Sequence, residues 1–97
     1  MPYTIAEIRQ KTAPIAGRYG IRSMSLFGSY ARGEANENSD IDIYIDRGSL
    51  RSLIQYFSFV NELENSLKRH VDVVTTEIRD KEFLDSITRE GVLLYEE

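Results

Sequence analysis

Near the middle of the chain, polar and apolar side chains alternate without interruption over seven residues, 40–46. Successive side chains of a β-strand point to opposite faces of a sheet, so this alternation predicts a strand. One face is apolar and is expected in the core: Ile41, Ile43 and Ile45. The other face begins with Asp40 and Asp42, whose Cα atoms would lie about 6.5–7 Å apart. The sequence therefore predicts two carboxylates side by side on a rigid strand.

The paired carboxylates have two interpretations. They repel each other unless a cation lies between them, and Mg²⁺ takes oxygen ligands, commonly one or two carboxylates together with substrate phosphates. Taken alone, however, an Asp-x-Asp on a strand more often belongs to a solvated sheet face. Aspartate is depleted in strands, so two within one strand favour a functional role for Asp40 and Asp42.

A Gly-Ser pair directly follows a second predicted strand, residues 23–27. Glycine at position 28 lets the backbone approach a phosphate closely, and N–H groups at a helix start attract anions. The Ser29 hydroxyl supplies a further donor. The pattern is neither a Walker A loop nor a nucleophile elbow. Because most Gly-Ser pairs are ordinary turns, an anion site and a simple turn both remain open for Gly28 and Ser29.

A third carboxylate, Asp72, lies in a predicted β-branched strand, residues 70–75. A buried carboxylate without a partner is costly. Asp72 is therefore expected either at the surface or paired with Arg69, or else beside Asp40 and Asp42 as a base or metal ligand. His70 is the single histidine of the sequence, and we assign it a structural role at the strand start because zinc sites need further ligands.

The remaining pattern predicts one small α+β domain over residues 1–97. A helix is expected over 4–19, ending at Gly20 and kinked or split at Pro14, which lacks a backbone donor. One helical turn is expected at 30–32, a long helix after Gly48-Ser49, a helix at 80–90 facing inward through Phe83, Leu84 and Ile87, and a strand at 91–95. This order predicts a small mixed β-sheet flanked by helices.

The long helix carries one apolar stripe that we assign to the core. Its members are Leu50, Leu53, Phe57, Val60, Leu63 and Leu67. Tyr56 and Phe59 fall outside the stripe, so part of this helix is a candidate partner surface, although scattered exposed aromatic side chains are also common.

Composition narrows the class of protein. The absence of cysteine excludes disulfides and thiolate metal sites. A net charge of -4 disfavours direct nucleic-acid binding, which depends on neutralising phosphates. The N-terminal residues do not have the pattern of a signal peptide, and apolar runs are too short to span a membrane. We therefore expect a cytoplasmic protein without membrane association.

Taken together, Gly-Ser-Tyr-Ala-Arg-Gly-Glu at 28–34 and Ser-Asp-Ile-Asp-Ile at 39–43 resemble the signature of the nucleotidyltransferase superfamily related to DNA polymerase β. The similarity is greatest to its minimal members, the MNT-type antitoxins. The strand 71–74 matches the position of the third family carboxylate, and the ending 90–95 is typical of these short proteins. The resemblance covers nearly the whole chain and implies the nucleotidyltransferase fold.

The resemblance also implies roles for the residues singled out above. The implied catalytic and metal-binding residues are Asp40, Asp42 and Asp72, which would bind two Mg²⁺ ions. The implied nucleotide-binding residues are Gly28, Ser29 and Arg32, although Arg32 is equally suited to pair with Glu34 or Asp40. In the implied reaction an acceptor hydroxyl attacks the α-phosphate of ATP, and pyrophosphate leaves.

No acceptor-binding domain is evident in the sequence, so we expect a second molecule to supply the acceptor. In the resembled family, many minimal members are antitoxins of a HEPN-domain ribonuclease and are thought to transfer AMP to one of its tyrosines. We predict such a Mg²⁺-dependent protein adenylyltransferase with a HEPN-domain toxin as partner. The alternatives are a non-catalytic antitoxin that acts by binding alone, and the catalytic subunit of a transferase for aminoglycoside-like small molecules. Whether the chain forms a homo-oligomer stays open.

Overall fold

A computed structural model describes residues 2–75 and 80–97. Within these ranges helices and strands follow one another in this order: α1 (Ile5–Arg18), β1 (Ser23–Phe27), α2 (Gly28–Arg32), β2 (Ile41–Asp46), α3 (Leu53–Leu67), β3 (Val71–Thr75), α4 (Lys81–Glu90) and β4 (Val92–Glu96). The strands form one sheet in the order β3-β2-β1-β4. β1 is antiparallel to β2 and β4, whereas β2 and β3 are parallel. The predicted small mixed sheet flanked by helices is confirmed.

The alternation that predicted β2 is matched by the burial of its side chains. Ile41, Ile43 and Ile45 are fully buried, whereas the residues between them are half-buried. Helices α1 and α3 pack against each other and, with the isoleucines, belong to one apolar cluster. The acidic face of β2 therefore points away from this core. Hydrophobic burial on one side thus fixes which side chains the other side presents.

Helix α1 begins and ends with well-defined caps. Thr4 and Glu7 form a capping box, in which the Thr4 hydroxyl accepts from the Glu7 amide at 3.1 Å and the Glu7 carboxylate accepts from the Thr4 amide at 2.8 Å. At the other end Gly20 adopts a φ of 70°, and the Ile21 amide donates to the carbonyl of Ala16 at 3.1 Å. This is a Schellman motif, and the predicted stop at Gly20 is confirmed.

The predicted split at Pro14 is wrong, because α1 runs continuously through it. Proline in a helix interior costs roughly 3 kcal/mol. Pro14 itself is exposed, but the helix buries Ile8 before it and Ile15 and Ala16 after it in the same core. Tertiary packing on both sides of Pro14 outweighs the lost backbone hydrogen bond.

The predicted apolar stripe of α3 is wrong in its first half. The helix begins after Ser52, whose hydroxyl accepts from the Gln55 amide at 3.0 Å, and not after Gly48-Ser49. Phe59 is fully buried, whereas the side chains of Leu53 and Phe57 are 72% and 63% exposed. Leu50 is buried, but it lies in the loop before α3 and not in the helix, so counting the stripe from it gave the wrong helix face.

In its second half, the stripe of α3 is confirmed at Leu63 and Leu67, which are fully buried together with Phe59. Tyr56, expected at the surface, is half-buried, and its hydroxyl donates to the carbonyl of Val73 at 3.3 Å. The exposed apolar side chains of this helix are therefore Leu53, Ile54 and Phe57.

The last helix, α4, lies against the end of β1. The ring of Phe83 meets that of Phe27 edge to face, with centroids 5.2 Å apart. The predicted inward residues are half-buried at Phe83 and Leu84 and buried at Ile87. Among the described helices, none combines the length and hydropathy needed to cross a bilayer.

Candidate active site

The chain segment that follows β1 lies close to β2, the strand that carries Asp42. Phe27 is paired in register with Asp42, so the chain leaves β1 at Gly28 beside that carboxylate. Gly28 has a φ of 73°, and a Cβ atom at this position would lie 2.2 Å from Asp42 Oδ2. Both the left-handed backbone and the absence of a side chain are therefore needed here. The structure brings Gly28 against Asp42.

Asp42 and Asp72 are neighbours across the parallel pair of strands. β2 and β3 pair Asp42 with Asp72 in register, and in a parallel sheet such residues share a face. Burial raises the pKa of Asp42, and the negative charges of Asp72 and Asp40 raise it further. A divalent cation would relieve this repulsion, so the carboxylates fit a hard, oxygen-binding ion such as Mg²⁺.

Asp40 and Asp72 are the exposed members of the site. One carboxylate oxygen of Asp40, one of Asp72 and one ring nitrogen of His70 all lie within 4.8 Å of one another. Asp40 directly precedes β2, and Asp72 is the second residue of β3. The structure thus brings the three predicted aspartates to one end of the parallel strand pair.

Ser29 and Arg32 occupy the short helix α2, which starts at Gly28. Ser29 is half-buried in its first turn. Arg32 forms ion pairs with Glu34, at 2.8 Å, and with Glu90, at 3.9 Å. Of the partners considered for Arg32, the structure thus contains Glu34 and adds Glu90. Arg32 still acts on the site at longer range, since its charge opposes the rise in the pKa of Asp42.

The position of His70 does not follow from the sequence pattern. Its Nε2 lies 3.1 Å from Asp72 Oδ1 and its Nδ1 lies 3.1 Å from Glu64 Oε2. The hydrogen bond with Asp72 is the main cause of a raised pKa of His70. Arg69, the other partner considered for Asp72, donates instead to the carbonyl of Glu37. The two-residue spacing of His70 and Asp72 predicts a shared strand face, but the contact with Glu64 is tertiary.

The chain has the fold of a class of proteins, the nucleotidyltransferases. A solved structure described as a minimal nucleotidyltransferase superposes with a TM-score of 0.78 at 27% identity, covering 93% of this chain and 95% of that one. A complex described as a toxin-antitoxin with AMP-PNP gives a TM-score of 0.76 at 23% identity, covering 92% and 73%. A Shewanella oneidensis complex described as a tri-AMPylated HEPN toxin with MNT antitoxin gives 0.71 at 19%, covering 97% and 74%.

Sequence relatives agree with the fold. A protein of Methanocaldococcus jannaschii with a name that ascribes to it protein adenylyltransferase activity is 41% identical over 88 residues, covering 91% of this chain and 95% of its own. The protein adenylyltransferase MntA of Thermococcus cleftensis is 37% identical over 75 residues, covering 77% and 76%. The family model described as "Polymerase beta, Nucleotidyltransferase" matches residues 10–97. The chain belongs to this nucleotidyltransferase family.

Proposed function

We propose that this chain is a Mg²⁺-dependent protein adenylyltransferase that transfers AMP from ATP to a HEPN-domain toxin and thereby acts as its antitoxin. The observation that carries the proposal is the in-register pair of Asp42 and Asp72, with Asp42 pressed against Gly28. Burial and the neighbouring carboxylates raise the pKa of Asp42, and such crowding is unfavourable in the absence of a cation. A role in nucleotidyl transfer would explain why these carboxylates lie so close together.

Each residue has a role in the proposed reaction. Asp40, Asp42 and Asp72 would hold the metal, and bound Mg²⁺ would neutralise the charge that develops on the transferred phosphate and on pyrophosphate. Gly28 gives the triphosphate close access to the backbone, and the Ser29 hydroxyl donates to a phosphate oxygen. The acceptor oxygen forms a bond to the α-phosphorus, the bond to the pyrophosphate oxygen breaks, and the exposed Asp72 accepts the hydroxyl proton.

A protein acceptor is favoured by two considerations. Asp40 and Asp72 are exposed, so a hydroxyl carried by a macromolecule can reach them. Relatives of this chain are named protein adenylyltransferases, and structural neighbours are complexes of an MNT antitoxin with a HEPN toxin. These names support the HEPN-domain partner and the AMP transfer proposed here.

The test uses ATP labelled at the α-phosphate, Mg²⁺ and a purified HEPN-domain protein. We expect the label on that protein with the wild-type chain and none with Asp42→Asn. The same pair of chains is then compared for rescue of growth in cells that express the HEPN-domain protein. Rescue by Asp42→Asn without any label would overturn catalysis and favour neutralisation by binding. Label on an added aminoglycoside in place of the protein would favour the small-molecule transferase.

A further inference from the structure

We propose that Glu64 and His70 form a bracket, a chain of contacts that holds Asp72 in position at the site. Both are positioning residues, which act through Asp72 and do not themselves contact the substrate. The inference rests on the proposed function in one respect, namely that Asp72 serves as the third carboxylate. The bracket itself is a property of the chain without metal or nucleotide.

The bracket starts on α3. Glu64 follows the fully buried Leu63 and lies three residues before the fully buried Leu67, so its backbone is held by the core. One oxygen of Glu64, Oε2, lies 3.0 Å from the backbone nitrogen of Val71, which donates to it, and 3.1 Å from His70 Nδ1. A single carboxylate of the helix thus fixes the start of β3 through both its backbone and a side chain.

His70 extends the bracket to Asp72. Its second ring nitrogen, Nε2, lies 3.1 Å from Asp72 Oδ1. Each ring nitrogen therefore faces a carboxylate oxygen, so the imidazole ring links the core-anchored Glu64 on α3 to Asp72 on β3. A histidine held on one side by a carboxylate has a defined ring orientation, which is how outer residues orient the ligands of metal sites.

Asp72 needs such support because of where it lies. In the order β3-β2-β1-β4, β3 is at an edge of the sheet, and the Asp72 side chain is 55% exposed. An exposed carboxylate relieves repulsion from neighbouring carboxylates by rotating into water, and fixing its rotamer costs conformational entropy. Asp72 nevertheless stays in register with Asp42 across the parallel strand pair. The contact with His70 opposes the rotation that would take Asp72 away from Asp42.

The test measures Mn²⁺ affinity by calorimetry on the full chain without ATP or partner protein, at one fixed pH. We expect His70→Ala to weaken Mn²⁺ binding by about 10-fold, the lower end of the effect of losing an outer partner of a metal ligand. His70→Gln keeps an amide donor for Asp72 and should recover most of the affinity. Glu64→Gln should weaken binding less than His70→Ala. Glu62→Gln, on the same helix but paired with Arg18, is the matched control and should bind as wild type does.

Two further readouts separate positioning from folding. The ring-nitrogen NMR shifts of His70 in the metal-free chain should change in Glu64→Gln and stay constant in Glu62→Gln. In the transfer assay, His70→Ala should lower kcat while the KM for ATP stays near the wild-type value, because Gly28 and Ser29 are unchanged.

The possible outcomes are distinct. Wild-type Mn²⁺ affinity in His70→Ala, with an unchanged melting temperature, would overturn the positioning role. Ring-nitrogen shifts of His70 that stay unchanged in Glu64→Gln would overturn the bracket. A wild-type chain that binds no Mn²⁺ would overturn the proposed function, and the ring shifts alone would then decide whether the bracket exists.

Discussion

At the scale of single residues, Gly28 and Asp42 restrict each other. The carboxylate of Asp42 occupies the space that a side chain at position 28 would need, and the backbone of Gly28 has a φ that other residues rarely adopt. Gly28, which we propose brings a phosphate close to the backbone, is therefore also the residue that leaves room for Asp42, the proposed metal ligand.

Gly28→Ala should consequently be more harmful than a second glycine substitution with the same backbone strain. Gly33 has a φ of 75°, but nothing lies within 4 Å of the position of its Cβ. Gly33→Ala should cost about 1 kcal/mol from the left-handed backbone alone. Gly28→Ala should cost clearly more and should also weaken Mn²⁺ binding. Urea denaturation and calorimetry measure the two effects, and equal stability losses in the two variants would contradict the close approach to Asp42.

Asp42→Asn is expected to separate stability from function. The pKa of Asp42 is raised by burial and by Asp72 and Asp40, so its ionised form is disfavoured in the folded chain. Removing that charge should raise the melting temperature at pH 7 in the presence of a chelator, while metal binding is lost. Asp85→Asn, an exposed substitution on α4, is the control and should leave both unchanged. A lower melting temperature in Asp42→Asn would show that the carboxylates do not repel one another.

Sequence patterns identified the three aspartates but not the contacts around them. Asp40 and Asp42 follow from strand alternation, and Gly28 from its place after a strand. The contact of His70 with Glu64 depends on how the end of α3 meets the start of β3, which no local pattern contains. The pairing of Arg32 with Glu90 likewise joins α2 to the end of α4.

At the scale of elements, α3 shows how a short shift in a helix start changes which face is buried. Counting from Gly48-Ser49 included Leu50 and placed Phe57 in the core. The Ser52 cap starts the helix later, and the buried row is Phe59, Leu63 and Leu67. The predicted strands are less sensitive to where the element starts, because their side chains alternate between two faces over only a few residues.

Two phenylalanines on α3 give a direct test of this helix phase. Phe59 is fully buried and packs edge to face on Tyr19, with ring centroids 5.6 Å apart, whereas Phe57 is mostly exposed. Phe59→Ala should cost about 3–5 kcal/mol of unfolding free energy. Phe57→Ala should change it by about 0.5 kcal/mol or less. Denaturant titration measures both, and a larger loss in Phe57→Ala would mean that the first predicted stripe was right.

The contact between α1 and α3 should depend on pH. Glu62 accepts hydrogen bonds from Tyr19 and Arg18, and the Tyr19 bond is the main cause of its lowered pKa. A lowered carboxylate pKa stabilises the fold above the ordinary value of 4.5, and this stabilisation is lost as the pH falls through the folded value. Glu62→Gln should therefore melt below wild type at pH 7, and the difference should shrink at pH 3. A difference that grows on acidification would contradict the assigned partners.

At the scale of the whole molecule, the sequence predicted the class of fold well. The β-strand positions agree with prediction to within one residue, since each strand is bounded by turns and has one apolar face. What the sequence did not contain is the strand order, in which β1 lies between β2 and β4 and leaves β3 at an edge. The placement of β3 beside β2 is what makes Asp42 and Asp72 neighbours.

The proposed function depends on one claim, that the in-register carboxylates carry out nucleotidyl transfer to a protein. The most direct measurement is the intact mass of the HEPN-domain partner after incubation with this chain, ATP and Mg²⁺. We expect added AMP with the wild-type chain, none with Asp40→Asn, Asp42→Asn or Asp72→Asn, and full addition with the Asp85→Asn control. An unmodified partner in the wild-type reaction, or equal addition of AMP by Asp42→Asn, would contradict it.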